Sequence, residues 1–224
     1  MANTLASGLA ALRRYYRPLL LIQAAAVALV VAYYASAGVR EICATLAGIK
    51  AAGGLAFAAA SAAGAGALMP EVARLLADRR GAAGWRARLP RIAFNLAFFA
   101  FNGVVIDGFY RLAAWLFGAG TDARTVAIKV VFDQFVFNPL WVPLIVALYL
   151  WRQNGFRLGP TWAVVSARGF YRTRVLPLIV PSWFFWVPMV VIIYALPVPL
   201  QFLLFVFALA AWSLIMVFIA DNDR

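Results

Sequence analysis

The sequence predicts an all-α membrane protein, a compact bundle of six transmembrane helices with both termini in the cytoplasm. Hydrophobic residues fill 66% of its 224 positions and charged residues 12%, about half the ~25% of soluble domains. From Val175 to Ala220 the chain runs 46 residues without a charge, broken by Pro197-Val198-Pro199. As one helix that run would be roughly 69 Å long, about twice the ~30 Å apolar thickness of a bilayer, so the prolines read as a turn between two spans. The basic residues, finally, gather at the ends of apolar segments.

Cutting the chain at its charges gives the spans in order. The first, about Pro18 to Gly38, is rich in Leu, Val and Ala and forms an additional N-terminal helix within residues 1–48. The second, Ala51 to Met69, is almost entirely small residues. Its Gly54–Ala58 and Ala60–Gly64 spacings are the small-xxx-small pattern that lets backbones approach in lipid, so Gly54 and Gly64, together with Gly103 of the third span, are expected at close packing. A helix lining a gap for solute is the other reading. The third runs from Ile92 to about Leu116 and the fourth from Val126 to Trp151. The fifth and sixth are Val175 to Leu196 and Val198 to Ala220. Two short interfacial helices are expected. One, near 70–80, starts with Pro70 and puts Val72, Leu75 and Leu76 on one face; the other, near 160–173, sets Trp162, Val165 and Phe170 among Arg168, Arg172 and Arg174. The whole chain, 1–224, reads as a single multi-pass domain.

Charge fixes the expected orientation. With the N-terminus inside, 15 of the 20 Lys and Arg residues, from Arg13, Arg14 and Arg17 through Arg79 and Arg80 to Arg224, fall on the cytoplasmic side. Arg40, Lys50, Arg111, Arg124 and Lys129 fall outside, a positive-inside asymmetry. The same asymmetry accounts for the net charge of +12, so no nucleic-acid partner is expected. One cysteine, Cys43, placed in a loop, allows no internal disulfide and no thiolate metal cluster. Without histidine the commonest general base and metal ligand are missing, and no cofactor, metal site or enzymatic activity is expected.

Ionisable groups at membrane depth cost about 2.5–3.5 kcal/mol each and persist with a partner or a task. Asp107 and Arg111 lie four apart on one face of the third span, acid before base as the helix dipole favours. Lys129 and Asp133 are four apart in the reverse order; Lys129 is free to snorkel outward, which leaves Asp133 needing a partner on another helix. Gln134 and Asn138 share the neighbouring face. Pro139 and Pro143 then deprive the carbonyls of Phe135 and Pro139 of their donors, and Pro188 does the same in the fifth span, so helix kinks are expected at Pro139, Pro143 and Pro188. Asp107, Arg111, Asp133, Gln134 and Asn138 are expected to converge, either as a clamp between the third and fourth spans or as the lining of a hydrated vestibule.

These residues carry a resemblance. Lys129-Val130-Val131-Phe132-Asp133-Gln134-Phe135-Val136-Phe137-Asn138-Pro139 resembles the Asp-Gln-x-x-x-x-Pro signature of the Mpv-seventeen family, which includes the twenty-two-kilodalton peroxisomal membrane protein. Gly103-Val104-Val105-Ile106-Asp107-Gly108-Phe109-Tyr110 is similar to its Gly-Pro-x-x-His-x-Trp-Tyr element, with Asp107 at the histidine position. Trp186, Pro188, Val198, Pro199 and Trp212 resemble later landmarks, although Trp212 is about two residues out of register. Val191, Tyr194 and Leu203 stand where the family has glutamine, asparagine and arginine. The resemblance covers about residues 50–220 and describes a divergent, bacterial member. It implies a multi-pass protein of a bacterial inner membrane, or alternatively the mitochondrial inner membrane, that acts as a small-solute channel.

The leading functional expectation is therefore a channel-like protein conducting small solutes or ions across an inner membrane. Its partners would be the lipid bilayer and the solute, and a homo-oligomer stays open. A non-conducting scaffold or lipid-organising protein is the first alternative, with the polar residues acting only as clamps. A gated transporter with proline-broken helices around a central site is the second.

Overall fold

A computed structural model describes the backbone of residues 2–77 and 85–222 and the side chains of residues 17, 19–76, 86 and 88–214. The side chains of Arg13, Arg14, Arg79, Arg80 and Arg224, and the end of the expected 70–80 helix, lie outside the described residues. Every regular element among the described residues is helical. They are α1 (Ala2–Ala35), α2 (Ala37–Ala63), α3 (Met69–Ala77), α4 (Trp85–Phe117), α5 (Ala123–Phe132), α6 (Asn138–Gln153), α7 (Leu158–Val165), α8 (Leu176–Tyr194) and α9 (Val198–Asn222). Three wider π-helical turns, Gly64–Leu68, Asp133–Phe137 and Tyr171–Val175, join α2 to α3, α5 to α6 and lead into α8.

Four continuous helical stretches are long and apolar enough to cross a membrane: Ala37–Leu76, Arg88–Phe117, Ala123–Gln153 and Tyr171–Tyr194. Their outward faces are apolar, with Trp115 80% and Leu140 72% exposed, a surface that water would not tolerate but lipid does. The chain is thus an integral membrane protein by length and composition. The first and sixth expected spans are helices whose described apolar parts, Leu19–Ala35 and Val198–Leu214, are shorter.

Local chemistry explains the boundaries. Ser36 ends α1 and caps α2, its hydroxyl accepting from the Val39 N–H at 3.4 Å. Arg40 turns back to donate to the last carbonyls of α1, Tyr33 at 3.3 Å and Tyr34 at 3.0 Å. Asp122 caps α5 by accepting from the Thr125 N–H at 3.1 Å, and the Thr125 hydroxyl and N–H hold its carboxyl below the usual carboxylate range.

The structure changes three sequence expectations. Residues 40–50 form part of α2, so Cys43 is helical and not in a loop. The helix then breaks at Gly54, whose φ of 52° and ψ of −134° suit only glycine. The segment near 70–80 is no separate interfacial helix, because α3 continues the second span through the Gly64–Leu68 turn. Near 160–173 the helix is only Leu158–Val165, and Tyr171 already opens the next span. Replacing Gly54 by alanine is expected to cost about 1–3 kcal/mol, whereas Gly48→Ala, in open helical space, should stabilise by about 0.5–1 kcal/mol. Thermal unfolding of the purified variants in one detergent checks both signs.

Tight helix contact falls at other glycines than those the spacing singles out. A Cβ at Gly54 or Gly64 would meet nothing within 4 Å. At Gly103 of α4 it would collide with the Ala58 carbonyl and the Ala62 side chain of α2, and at Gly66 with the Phe99 ring. Gly103 is therefore where the α2 and α4 backbones close on one another.

Proline accounts for the π turns. Each ends one residue short of an X-Pro pair, Met69-Pro70, Asn138-Pro139 and Leu176-Pro177. In each the residue before proline donates five positions back, to Gly64, Asp133 and Tyr171. A proline ring clashes with the carbonyl four residues earlier, and a widened turn moves that carbonyl aside. Two other proline-freed carbonyls receive side-chain donors from elsewhere. Pro188 orphans Phe184, whose oxygen accepts from Gln23 Nε2 of α1 at 3.1 Å; Pro143 orphans Pro139, whose oxygen accepts from the Tyr171 hydroxyl at 3.3 Å.

Candidate functional site

Two buried acids organise the polar interior. Asp107, 1% exposed on α4, binds Lys50 Nζ of α2 through Oδ1 at 2.5 Å and Arg111 through Oδ2 at 2.8–3.0 Å. The i,i+4 pair expected within the third span is thus present, and a second cation joins it from α2. Lys50 also lies over the Phe202 ring of α9, 5.3 Å from its centroid. With 60% of its side chain exposed, Arg111 is the solvent- or headgroup-facing partner, and Lys50, at 11%, is the more enclosed one.

Asp133 opens the π turn between α5 and α6. Its Oδ1 accepts from Gln134 Nε2 at 2.8 Å and its Oδ2 from the Tyr194 hydroxyl of α8 at 3.0 Å. Asn138 extends the chain by donating to Gln134 Oε1 at 3.5 Å. Lys129 does not snorkel. Fully buried, it donates to the Gly120 carbonyl at 3.4 Å and lies 5.7 Å from the centre of the Tyr194 ring. One tyrosine from α8 therefore serves both members of the Lys129/Asp133 pair: its hydroxyl faces the acid and its ring faces the base.

Among the described residues no hydrogen bond or ion pair joins the Asp107 group to the Asp133 group. Aromatic rings stand between them. Tyr110, one helical turn from Asp107, meets Tyr194 edge-on at 5.6 Å and Phe205 at 6.1 Å. Phe109 stacks on Phe137 at 3.9 Å. The five polar residues thus form two neighbouring clusters instead of one locus. Neither acid clamps the third span to the fourth: Asp107 ties α4 to α2, and Asp133 ties the α5–α6 junction to α8. The polar links between α4 and α6 are different ones, Trp141 Nε1 donating to Asn102 Oδ1 at 3.0 Å and the Tyr149 hydroxyl to Asn95 Oδ1 at 3.4 Å.

No protein-family model, curated protein or solved structure matches this chain. Its chemistry must be read from the residues themselves. Among the described residues no three His, Cys, Asp or Glu side chains gather to hold a metal ion. A groove between α6 and α7, lined by Pro143, Leu144 and Trp162, is apolar and remote in character from the charged interior.

Sequence reasoning missed Lys50, Tyr194 and Asn102. Lys50 had a usable signal: Val39, Ile42, Cys43, Leu46 and Ile49 recur at helical spacing behind the Ser36 cap, which extends a helix to Lys50. Tyr194 had none, because its role depends on how α8 docks.

Proposed function

We propose that this chain is a channel-like membrane protein conducting small solutes or ions, and that the arrangement described is its closed state. The supporting observation is the burial of three ionisable side chains, Asp107, Lys129 and Asp133, with Lys50 only 11% exposed beside them, within spanning segments of a single chain. Holding helices together needs no such groups, since apolar packing of similar volume is as stable or more so. Intramembrane charges mark solute pathways and relays more often than they mark packing alone. On this reading the Tyr110–Tyr194 wall closes the route between the two acidic clusters. The six-span topology, the cytoplasmic termini, the bacterial inner membrane and membership of the Mpv-seventeen family belong to the same proposal.

Asp133→Asn keeps the size and shape of the side chain but removes the charge. Purified protein in planar bilayers should then lose cation preference, with reversal potentials moving several millivolts or more toward the non-selective value under a salt gradient. Well-folded wild type that carries no current would reject the channel, and currents whose selectivity is identical in Asp133→Asn would reject Asp133 as part of its path.

The saturation of Asp107 favours a second reading, a non-conducting scaffold. Both of its oxygens are taken by cations, as a purely structural clamp requires. This reading makes the exchange Lys50→Asp with Asp107→Lys the informative double variant, since Arg111 pairs with Asp107 and not with Asp133. Stability restored in the double variant with no flux in wild type would favour the scaffold.

A further inference from the structure

The ends of α3, α4 and α6 meet in a basic cluster that the polar interior does not use. Glu71 of α3, 6% exposed, accepts from Arg91 Nη2 at 2.8 and 2.9 Å and from Arg74 at 3.4 Å, with Arg88 at 3.7 Å. Arg152, at the end of α6, lies over the Phe94 ring of α4 at 5.2 Å. Tyr149 donates to Asn95 Oδ1 at 3.4 Å and feels the positive charges of both Arg152 and Arg74. Arg74, Arg91 and Arg152 thus gather with Arg88 at this end of the bundle, and among the described residues Glu71 is the carboxylate that Arg74, Arg88 and Arg91 share. Arg74 and Arg91 keep 31% and 37% of their side chains exposed, so both guanidinium side chains reach the surface here.

What surrounds the cluster identifies its counter-ion. Val72, Leu75, Leu76 and Leu89 are exposed apolar side chains beside these arginines, at the end where the Arg88–Phe117 span begins. A free phosphate would find no use for such a rim. An acidic phospholipid would, because its phosphate meets the guanidinium groups while its acyl chains cover the leucines.

We propose that Arg74, Arg91 and Arg152 form a binding site for the headgroup phosphate of an anionic phospholipid at this end of the bundle. Each guanidinium near an anionic headgroup contributes about fivefold in affinity. The full-length protein, released from detergent micelles with mixed phosphatidylglycerol and phosphatidylcholine, is examined by native mass spectrometry for retained lipid. Wild type should retain phosphatidylglycerol over phosphatidylcholine by about tenfold or more. The Arg74→Gln/Arg152→Gln double variant, which leaves Arg88 and Arg91 on Glu71, should lose most of that preference, and Arg172→Gln should lose none. Arg152→Gln alone touches no partner of Glu71 and should lose about fivefold, a second reading in case the double variant folds poorly. Equal retention of the two lipids by wild type, or an unchanged preference in both variants, overturns the proposal. Displacement of phosphatidylglycerol by millimolar inorganic phosphate overturns it in favour of a soluble anion.

Discussion

Asp107→Asn is expected to be the most damaging polar substitution in the molecule, lowering stability by about 3–5 kcal/mol. The carboxylate is 1% exposed and compensates Lys50, whose side chain is only 11% exposed. Removing one partner of a buried pair strands the other charge, and that stranded charge carries most of the cost. Arg111→Gln should cost far less, under about 1 kcal/mol, because Arg111 is 60% exposed and its pairing is screened. Adding Lys50→Gln to Asp107→Asn should recover a good part of the loss. Unfolding in a denaturing detergent series, followed by helicity, orders the four proteins; an Asp107→Asn protein as stable as wild type would refute the assignment of Lys50 as the dependent charge.

Gly103→Val comes next. Even a Cβ at this position collides with the Ala58 carbonyl and the Ala62 side chain, and valine adds two methyl groups on a stiff rotamer. Backbone cannot step aside as a flexible side-chain tip can, so α2 and α4 must separate. Overpacking of this kind costs about 1–3 kcal/mol, and valine here belongs at or above the top of that range. Gly108→Ala, one helical turn and a residue further along α4, meets nothing within 4 Å and should be neutral or stabilising. Thermal midpoints of both variants, measured beside wild type, test the contrast.

Much of the helical layout was legible in sequence because charge is expensive in lipid and so punctuates the spans. The gap from Phe117 to Ala123 and the Arg152 end of α6 bound helices within a few residues of the expected limits, whereas α4 already begins at Trp85, before Arg91. The Asp107–Arg111 pair was legible because i,i+4 geometry is local. Three things were not. The helix before Gly54 hid in a charge-bearing stretch that looked like a loop. The π turns hid because proline was read as a kink, while the chain answers it by widening the preceding turn. Tyr194 hid because it stands where the resembled family has asparagine, and its service to Asp133 comes across 61 positions of sequence. Long-range partners are set by how helices dock, and docking leaves little periodic trace.

The bonds from α1 to α8 have a consequence for biogenesis. Gln23 and Tyr34 reach the carbonyls of Phe184 and Ala195, both 161 positions downstream. A ribosome adding about 5–20 residues per second needs roughly 8–32 s to cover that interval. Throughout it α1 waits without the acceptors of its Gln23 amide and Tyr34 hydroxyl, which exist only once α8 has been made. Truncated nascent chains that stop before Phe184 should accordingly present α1 to proteases and crosslinkers, and slightly longer ones should shield it.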